Sequence, residues 1–312
     1  MRIKLRAILL GVLASIGLAA ANPAHAQVER GTELKGIIDI HWHAGPPTYQ
    51  SITRSLDAYE AALVAKRHGF RAIVIKQHYL ETASWAYLIS RTVEGVQIFG
   101  GVALNRSVGG VNPVAVENVL TFPEKVGRIV FMPTFESEHY NRGSPVAVPV
   151  SKDGKLLPEV LEVLDVIAKY DAALSTGHSS PEESLMLVRE AQKRGIRVFV
   201  QHPLDPRIAM SVEQMEECVR MGAFLEFILA EPVREPEFFD HWAEVMREVG
   251  PENVIISSDL GQRGNAIPPD GYRIVLPKLR EAGFSEAELD LMTKDNPAYL
   301  LGLDAERKHL TD

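Results

Sequence analysis

The sequence predicts a single-domain (β/α)8 barrel of the TIM-barrel type, and three observations carry that prediction. First, eight short apolar runs recur along the 312 residues: Ile37–His43, Ala72–His78, Val96–Leu104, Arg128–Phe135, Ala172–His178, Arg197–His202, Ala223–Leu229 and Asn253–Asp259. Second, amphipathic helical patterns lie between them. Third, polar residues able to do chemistry gather at the C-terminal ends of the runs, the rim where barrel enzymes hold their sites.

Each apolar run is continuous rather than alternating ("AIVI", "RIVFM", "FLEFIL", "VIIS"). That is the pattern of strands covered on both faces in a parallel sheet. Between them, "SLDAYEAALVAKRHG", "LPEVLEVLDVIAKY", "PEESLMLVREAQKRG", "SVEQMEECVRMG" and "PEFFDHWAEVMREVG" read as helices. Several start on Ser or Pro-Glu, and several finish on a basic residue and Gly, the usual start and stop chemistry. An open doubly wound sheet is the structural alternative. Its Gly-rich phosphate turn is missing, because "IFGGVALN" is not G-x-G-x-x-G and no helix follows it directly. One connection is long, Glu136–Pro158. Its Asp153-Gly154 pair between short segments predicts a small hairpin inserted after strand four.

The N-terminus reads as a targeting segment. Met1–Arg6 carries Arg2, Lys4 and Arg6, an uncharged stretch runs from Ala7 to Ala21, and Ala24-His25-Ala26 is a small-x-small cleavage pattern. This predicts a secretory signal peptide over residues 1–26, and a barrel domain over 27–312 that works in the periplasm with no stable membrane anchor. The apolar stretch is short for a span, which needs about 20 residues. The formal net charge of −8 argues against a nucleic-acid partner, since phosphate binding needs a basic surface. The lone cysteine, Cys218, allows neither an internal disulfide nor a cysteine-based zinc site.

The strand ends form a constellation. Strand one ends in His41 and His43, strand two in Lys76 and His78, strand five in His178, strand six in His202 and strand eight in Asp259, with Glu136 just past strand four. Strand side chains alternate, so His41 and His43 point the same way, and Asp39 is expected on their face. Two neutral imidazoles so placed can hold one divalent ion, with further His and Asp ligands from across the barrel. The imidazole and carboxylate donors favour zinc. Lys76 and His78 share a face, and on the lumen side they would contact substrate, the lysine holding a carboxylate or phosphate or becoming carboxylated.

Here the chain resembles the amidohydrolase superfamily of metal-dependent barrel hydrolases. "DIHWH", His178, His202, Asp259 and the late "DNPAYLLGL" carry the resemblance, which spans nearly the whole of 27–312. It implies that His41, His43 and His178 are metal ligands. His202 would bind a second metal or the substrate oxygen. Asp259 would bind metal and move the proton, so Asp259 and His202 are the expected catalytic residues. Many members bridge two metals with a carboxylated lysine on strand four. This chain has none there and offers Glu136 in "FMPTFES" instead, so one ion or two are compatible with it. The implied activity is hydrolysis of an amide, lactone or ester bond in a small molecule by a metal-activated water. A single-metal lyase or decarboxylase, with Lys76 holding the carboxylate, is the second enzyme class. A non-catalytic binding protein is the third reading, in which Asp259 would have no physical purpose.

Overall fold

The computed structural model describes residues 34–46, 53–304 and 306–308; the expected signal peptide lies outside the described residues. In chain order the strands are β1 (Ile38–His43), β2 (Ala72–Lys76), β3 (Gln97–Ala103) and β4 (Gly127–Phe131). The short pair β5 (Ser151–Lys152) and β6 (Lys155–Leu156) follows, then β7 (Ala173–Ser175), β8 (Arg197–Val200), β9 (Phe224–Ile228) and β10 (Val254–Ser257). Eight of them form one sheet in the order β1-β2-β3-β4-β7-β8-β9-β10, with parallel pairing throughout. Two backbone bonds close it into a barrel: Asp259 N donates to His41 O (3.0 Å), and His43 N to Leu260 O (2.9 Å).

Alternation along the strands sorts the apolar side chains into two clusters. Ile38, Ile40, Val74, Phe99, Phe131, Phe199, Phe224 and Ile255 fill the lumen. Ile37, Trp42, Ile73, Ile75, Leu225 and Ile256 face the surrounding helices. One expectation fails here for an instructive reason. The pairing of β1 with β2 shifts register between Asp39 and Trp42. This bulge sends Ile38, Ile40, His41 and His43 inward together, because an inserted residue breaks the two-residue period. Asp39 therefore does not share the histidines' face. Its Oδ1 accepts hydrogen bonds from His41 N (3.0 Å) and Ser258 N (3.1 Å), and so helps tie β1 to β10.

The strands are shorter than the apolar runs. β2 stops at Lys76, β4 at Phe131, β7 at Ser175, β8 at Val200 and β10 at Ser257. His78, Glu136, His178, His202 and Asp259 thus lie in the first loop residues past the strands, not on them. Left-handed backbone turns the chain out at Gly177 (φ 63°), His202 (φ 28°) and Asp259 (φ 46°). Gly261 (φ 107°) is required by contact as well as by backbone, because a Cβ there would sit 2.0 Å from His43 O. Only glycine lets the loop after β10 lie against the end of β1.

The helices follow their caps. Ser180 and Ser211 each form a capping box, at the starts of Pro181–Lys193 and Val212–Arg220. In the first helix, Ala58–Arg67, the cap is Asp57 rather than the earlier Ser55. The expected hairpin after strand four is present as antiparallel β5 and β6 around Asp153 and Gly154. The "DNPAYLLGL" segment closes the barrel floor: Asn296 Nδ2 donates to Val254 O (2.7 Å), while Ala298, Leu300 and Leu301 pack into the lumen cluster.

Candidate metal centre

Inward-facing residues at the top of β1 and the first turn after β10 converge on one point. Ligand atoms of His41, His43 and Asp259 lie within 4.8 Å of one another, the one such group of three among the described residues. Asp259 Oδ1 is 2.8 Å from His43 Nε2 and 3.2 Å from His41 Nε2. His41 Nδ1 is 3.0 Å from Glu226 Oε1 on β9, and Ser257 Oγ donates to the same oxygen (2.6 Å). A carboxylate on Nδ1 fixes the tautomer and leaves Nε2 as the ligand nitrogen. That nitrogen is aimed at the Asp259 oxygen.

Burial alone would raise the Asp259 carboxyl, but the His41 and His43 rings outweigh it and hold the group well below the usual carboxylate range. Burial pushes the His43 and His178 imidazoles well below their ordinary value, and His202 below it, so all three are neutral and keep a lone pair. Burial and the Lys76 ammonium lower His41, yet Glu226 and Asp259 carry it above the ordinary value.

Opposite this group, the His178 and His202 rings pair with centroids 5.0 Å apart, and His202 lies 6.2 Å from His41. His202 Nε2 accepts from Gln201 Nε2 (2.8 Å), while His202 Nδ1 and His178 Nδ1 are buried with no hydrogen-bond partner among the described residues. Orphaned buried imidazole nitrogens beside a lone carboxylate are a donor set that fits a divalent cation. His202 and Asp259 also hold left-handed backbone without being glycine. That costs about 1–3 kcal/mol each, strain of the kind kept at functional sites.

Of the other expected residues, Lys76 is buried in the lumen, its Nζ 2.8 Å from His41 Nε2 and 4.7 Å from the Phe131 ring centroid. Burial pushes its ammonium down to about 8. His78 faces the same cavity. Asn105 Nδ2 donates to Thr134 Oγ1 (2.7 Å), so the Thr134 hydroxyl can donate to His78 Nδ1 (2.9 Å), leaving Nε2–H as the ring's donor. Glu136 is the exception, and the structure does not bring it to the centre. With β4 ending at Phe131, the chain turns outward through Pro133, and Glu136 Oε2 accepts from Arg106 N (2.7 Å).

The cavity over the centre holds about 360 Å³. A larger one of about 530 Å³ opens beside the β5–β6 hairpin, away from these residues. None of the hairpin's residues line the smaller cavity.

Sequence reasoning missed two kinds of residue. Glu226 had a signal: an acid inside the apolar run "FLEFIL", in phase with lumen-facing Phe224. Of the arginines at the cavity mouth, Arg54, Arg207 and Arg263 lie in loops and Arg234 ends the one-turn helix Ala230–Arg234, too short for a periodicity to mark it. Glu226→Gln is expected to weaken divalent-metal affinity about 10–100-fold, because the second partner of a ligating histidine sets its orientation and basicity. Chelator competition would measure this, and unchanged affinity would mean that Glu226 is only a packing group.

Solved structures share this architecture. An amidohydrolase from Pseudomonas aeruginosa superposes with a TM-score of 0.62 at 14% identity, covering 86% of this chain and 96% of that one. The phosphotriesterase homology protein from Escherichia coli, solved with phosphate in its active site, has a TM-score of 0.56 at 18% identity, with 86% and 99% covered. An organophosphorus hydrolase from Deinococcus radiodurans has a TM-score of 0.54 at 14% identity, with 88% and 94% covered. At these identities the likeness is one of fold, and the fold is the barrel expected from the resemblance to the amidohydrolase superfamily. None of the curated proteins matches this chain by sequence. Residues 36–226 match the family described as "Family of unknown function (DUF6282)", and the chain belongs to that family.

Proposed function

We propose that this protein is a metal-dependent hydrolase that cleaves an amide, lactone or ester bond of a small molecule. The convergence of His41, His43 and Asp259 on one point of the barrel rim carries the reading. The hydrolase names of the structural neighbours support it. His41, His43 and Asp259 would hold zinc, with His178 and His202 as the ligands across the cavity, for one or two ions per chain. A bound divalent ion lowers the pKa of water to about 7 and polarises the oxygen under attack.

The chain's own groups supply the rest. Asp259, ionised at neutral pH, takes the proton of the attacking water and passes it to the leaving group. His202, where it does not hold a second ion, faces the substrate oxygen from the opposite wall. His78 Nε2–H and the Lys76 amine hold the substrate beside them.

Elemental analysis of protein purified without chelators is expected to find at least one zinc per chain. Products formed from ester, lactone and amide panels in heavy-oxygen water are expected to carry one labelled oxygen. Absence of metal from carefully loaded protein would end the reading, and release of carbon dioxide with no label in the organic product would favour the lyase class. We further propose that the chain is secreted to the periplasm, on the strength of the Ala24-His25-Ala26 pattern. Mass spectrometry is expected to find Gln27 as the mature N-terminus, and an intact Met1 would overturn that.

A further inference from the structure

Charge at the cavity mouth is opposite in sign to that of the chain. The protein carries a formal net charge of −8, yet Arg54, Lys76, Arg207, Arg234 and Arg263 line this cavity against a single lining carboxylate, Asp259. Arg207 is engaged by Asp205 Oδ1 (2.9 Å). Arg54 is different. It is only 7% exposed, and Nη2 donates to Gln77 Oε1 (3.3 Å), while Nε and Nη1 are buried with no hydrogen-bond partner among the described residues. Burial of this cation carries a desolvation cost, which Asp259 offsets in part and a fixed anion at its open donors would offset further.

The backbone holds Arg54 in place despite that cost. Its neighbours are stitched to the loop after β10, with Ser55 N donating to Gly261 O (2.9 Å) and Arg263 N to Thr53 O (2.8 Å). Gln77 is itself held, because its Nε2 donates to Ala44 O (2.9 Å). Arg234 Nη2 reaches Gln262 Oε1 (3.3 Å), and Gln262 Nε2 donates to Asp259 O (3.0 Å). The guanidinium is therefore preorganised in the cavity that Asp259 lines, with Nε, Nη1 and the second hydrogen of Nη2 unmet by any described residue. Either edge, Nε with Nη2 or Nη1 with Nη2, then matches an oxyanion with two oxygens.

We propose that the substrate is an organic anion whose carboxylate or phosphoryl group, remote from the scissile bond, is received by the free edge of Arg54, with Arg234 and Arg263 completing the cationic mouth. A neutral ester or amide could accept from Arg54 but would leave its charge without a fixed anion, and the mouth would attract anions before contact. This substrate class rests on the hydrolase reading, but the anion grip itself does not require the metal.

The test is calorimetric titration of glutarate, and separately of methyl phosphate, into the full-length protein and into its His41→Ala/His43→Ala variant. Both proteins are expected to bind at least one of the two anions, more weakly as salt rises. Arg54→Gln is expected to weaken that binding at least about tenfold in both backgrounds, the lower end for a charge-assisted pair. Arg54→Lys is expected to recover only part of it, since lysine has the charge without the fork. Tighter glutarate binding assigns a carboxylate, and tighter methyl phosphate binding a phosphoryl group. Wild-type protein that binds neither anion would overturn the proposal, as would Arg54→Gln binding both as wild type does. If Arg54→Gln does not fold, thermal stabilisation of the wild type by either anion decides in the same sense. Metal-loaded wild-type protein without anion binding would sink this inference alone, whereas wild-type protein that takes up no metal yet binds glutarate would sink the hydrolase reading alone.

Discussion

Asp259→Asn is expected to fold, to keep most of its metal and to lose at least about 100-fold in turnover, the lower range for general acid–base catalysis. Folding should survive because residue 259 holds left-handed backbone (φ 46°), which Asn tolerates better than most residues. Metal should largely survive because Asn keeps one carbonyl oxygen where Asp259 Oδ1 now faces His41 and His43. Proton transfer should not survive. The two imidazoles hold the Asp259 carboxyl well below its usual range, so it is ionised at neutral pH and has a lone pair to offer, whereas an amide cannot accept and release a proton. Turnover of a substrate found in the product screen, measured beside metal content, checks this. Near-normal turnover with metal present would assign the base to another residue. Loss of folding would make Asp259 a structural residue at the closing seam of the barrel.

The double substitution His41→Ala/His43→Ala is expected to abolish both metal and turnover. It removes two donors that no neighbouring side chain replaces. It should also destabilise the fold through a separate route. Glu226 is fully buried, and its carboxylate is now met by His41 and Ser257. Without the imidazole it becomes a buried acid with one hydroxyl partner, a loss on the order of 3–5 kcal/mol for a broken buried pair. Adding Glu226→Gln should therefore restore part of the melting temperature and none of the metal. Elemental analysis and thermal melts on the double and triple variants separate the two effects. Metal retained by the double variant would place the ion elsewhere.

How far the sequence could be read differs from residue to residue. The barrel was legible because eight continuous apolar runs separated by amphipathic helices leave few other ways to bury both faces of a sheet. The convergence of His41, His43, His178, His202, Lys76, His78 and Asp259 was legible because barrel strands all end on one rim, so chain position alone predicts proximity. Glu136 did not follow that rule. Its distance past the strand depends on where pairing stops, and β4 stops at Phe131. The Asp39 expectation failed because a single bulge reverses alternation, and nothing in the residues of β1 announces it.

By itself, then, the sequence determined the architecture and the identity of the groups on the rim, since both follow from periodicities that the chain carries locally. Tertiary structure alone decided which nitrogen of His41 faces the centre, because that depends on Glu226, 185 residues away. It alone decided that Arg54 stands at the mouth with Nε and Nη1 unmet by any described residue. Arg54 sits there because the loops after the first and last barrel strands bond to each other, and a contact between chain segments some 200 residues apart leaves no periodic trace in either one.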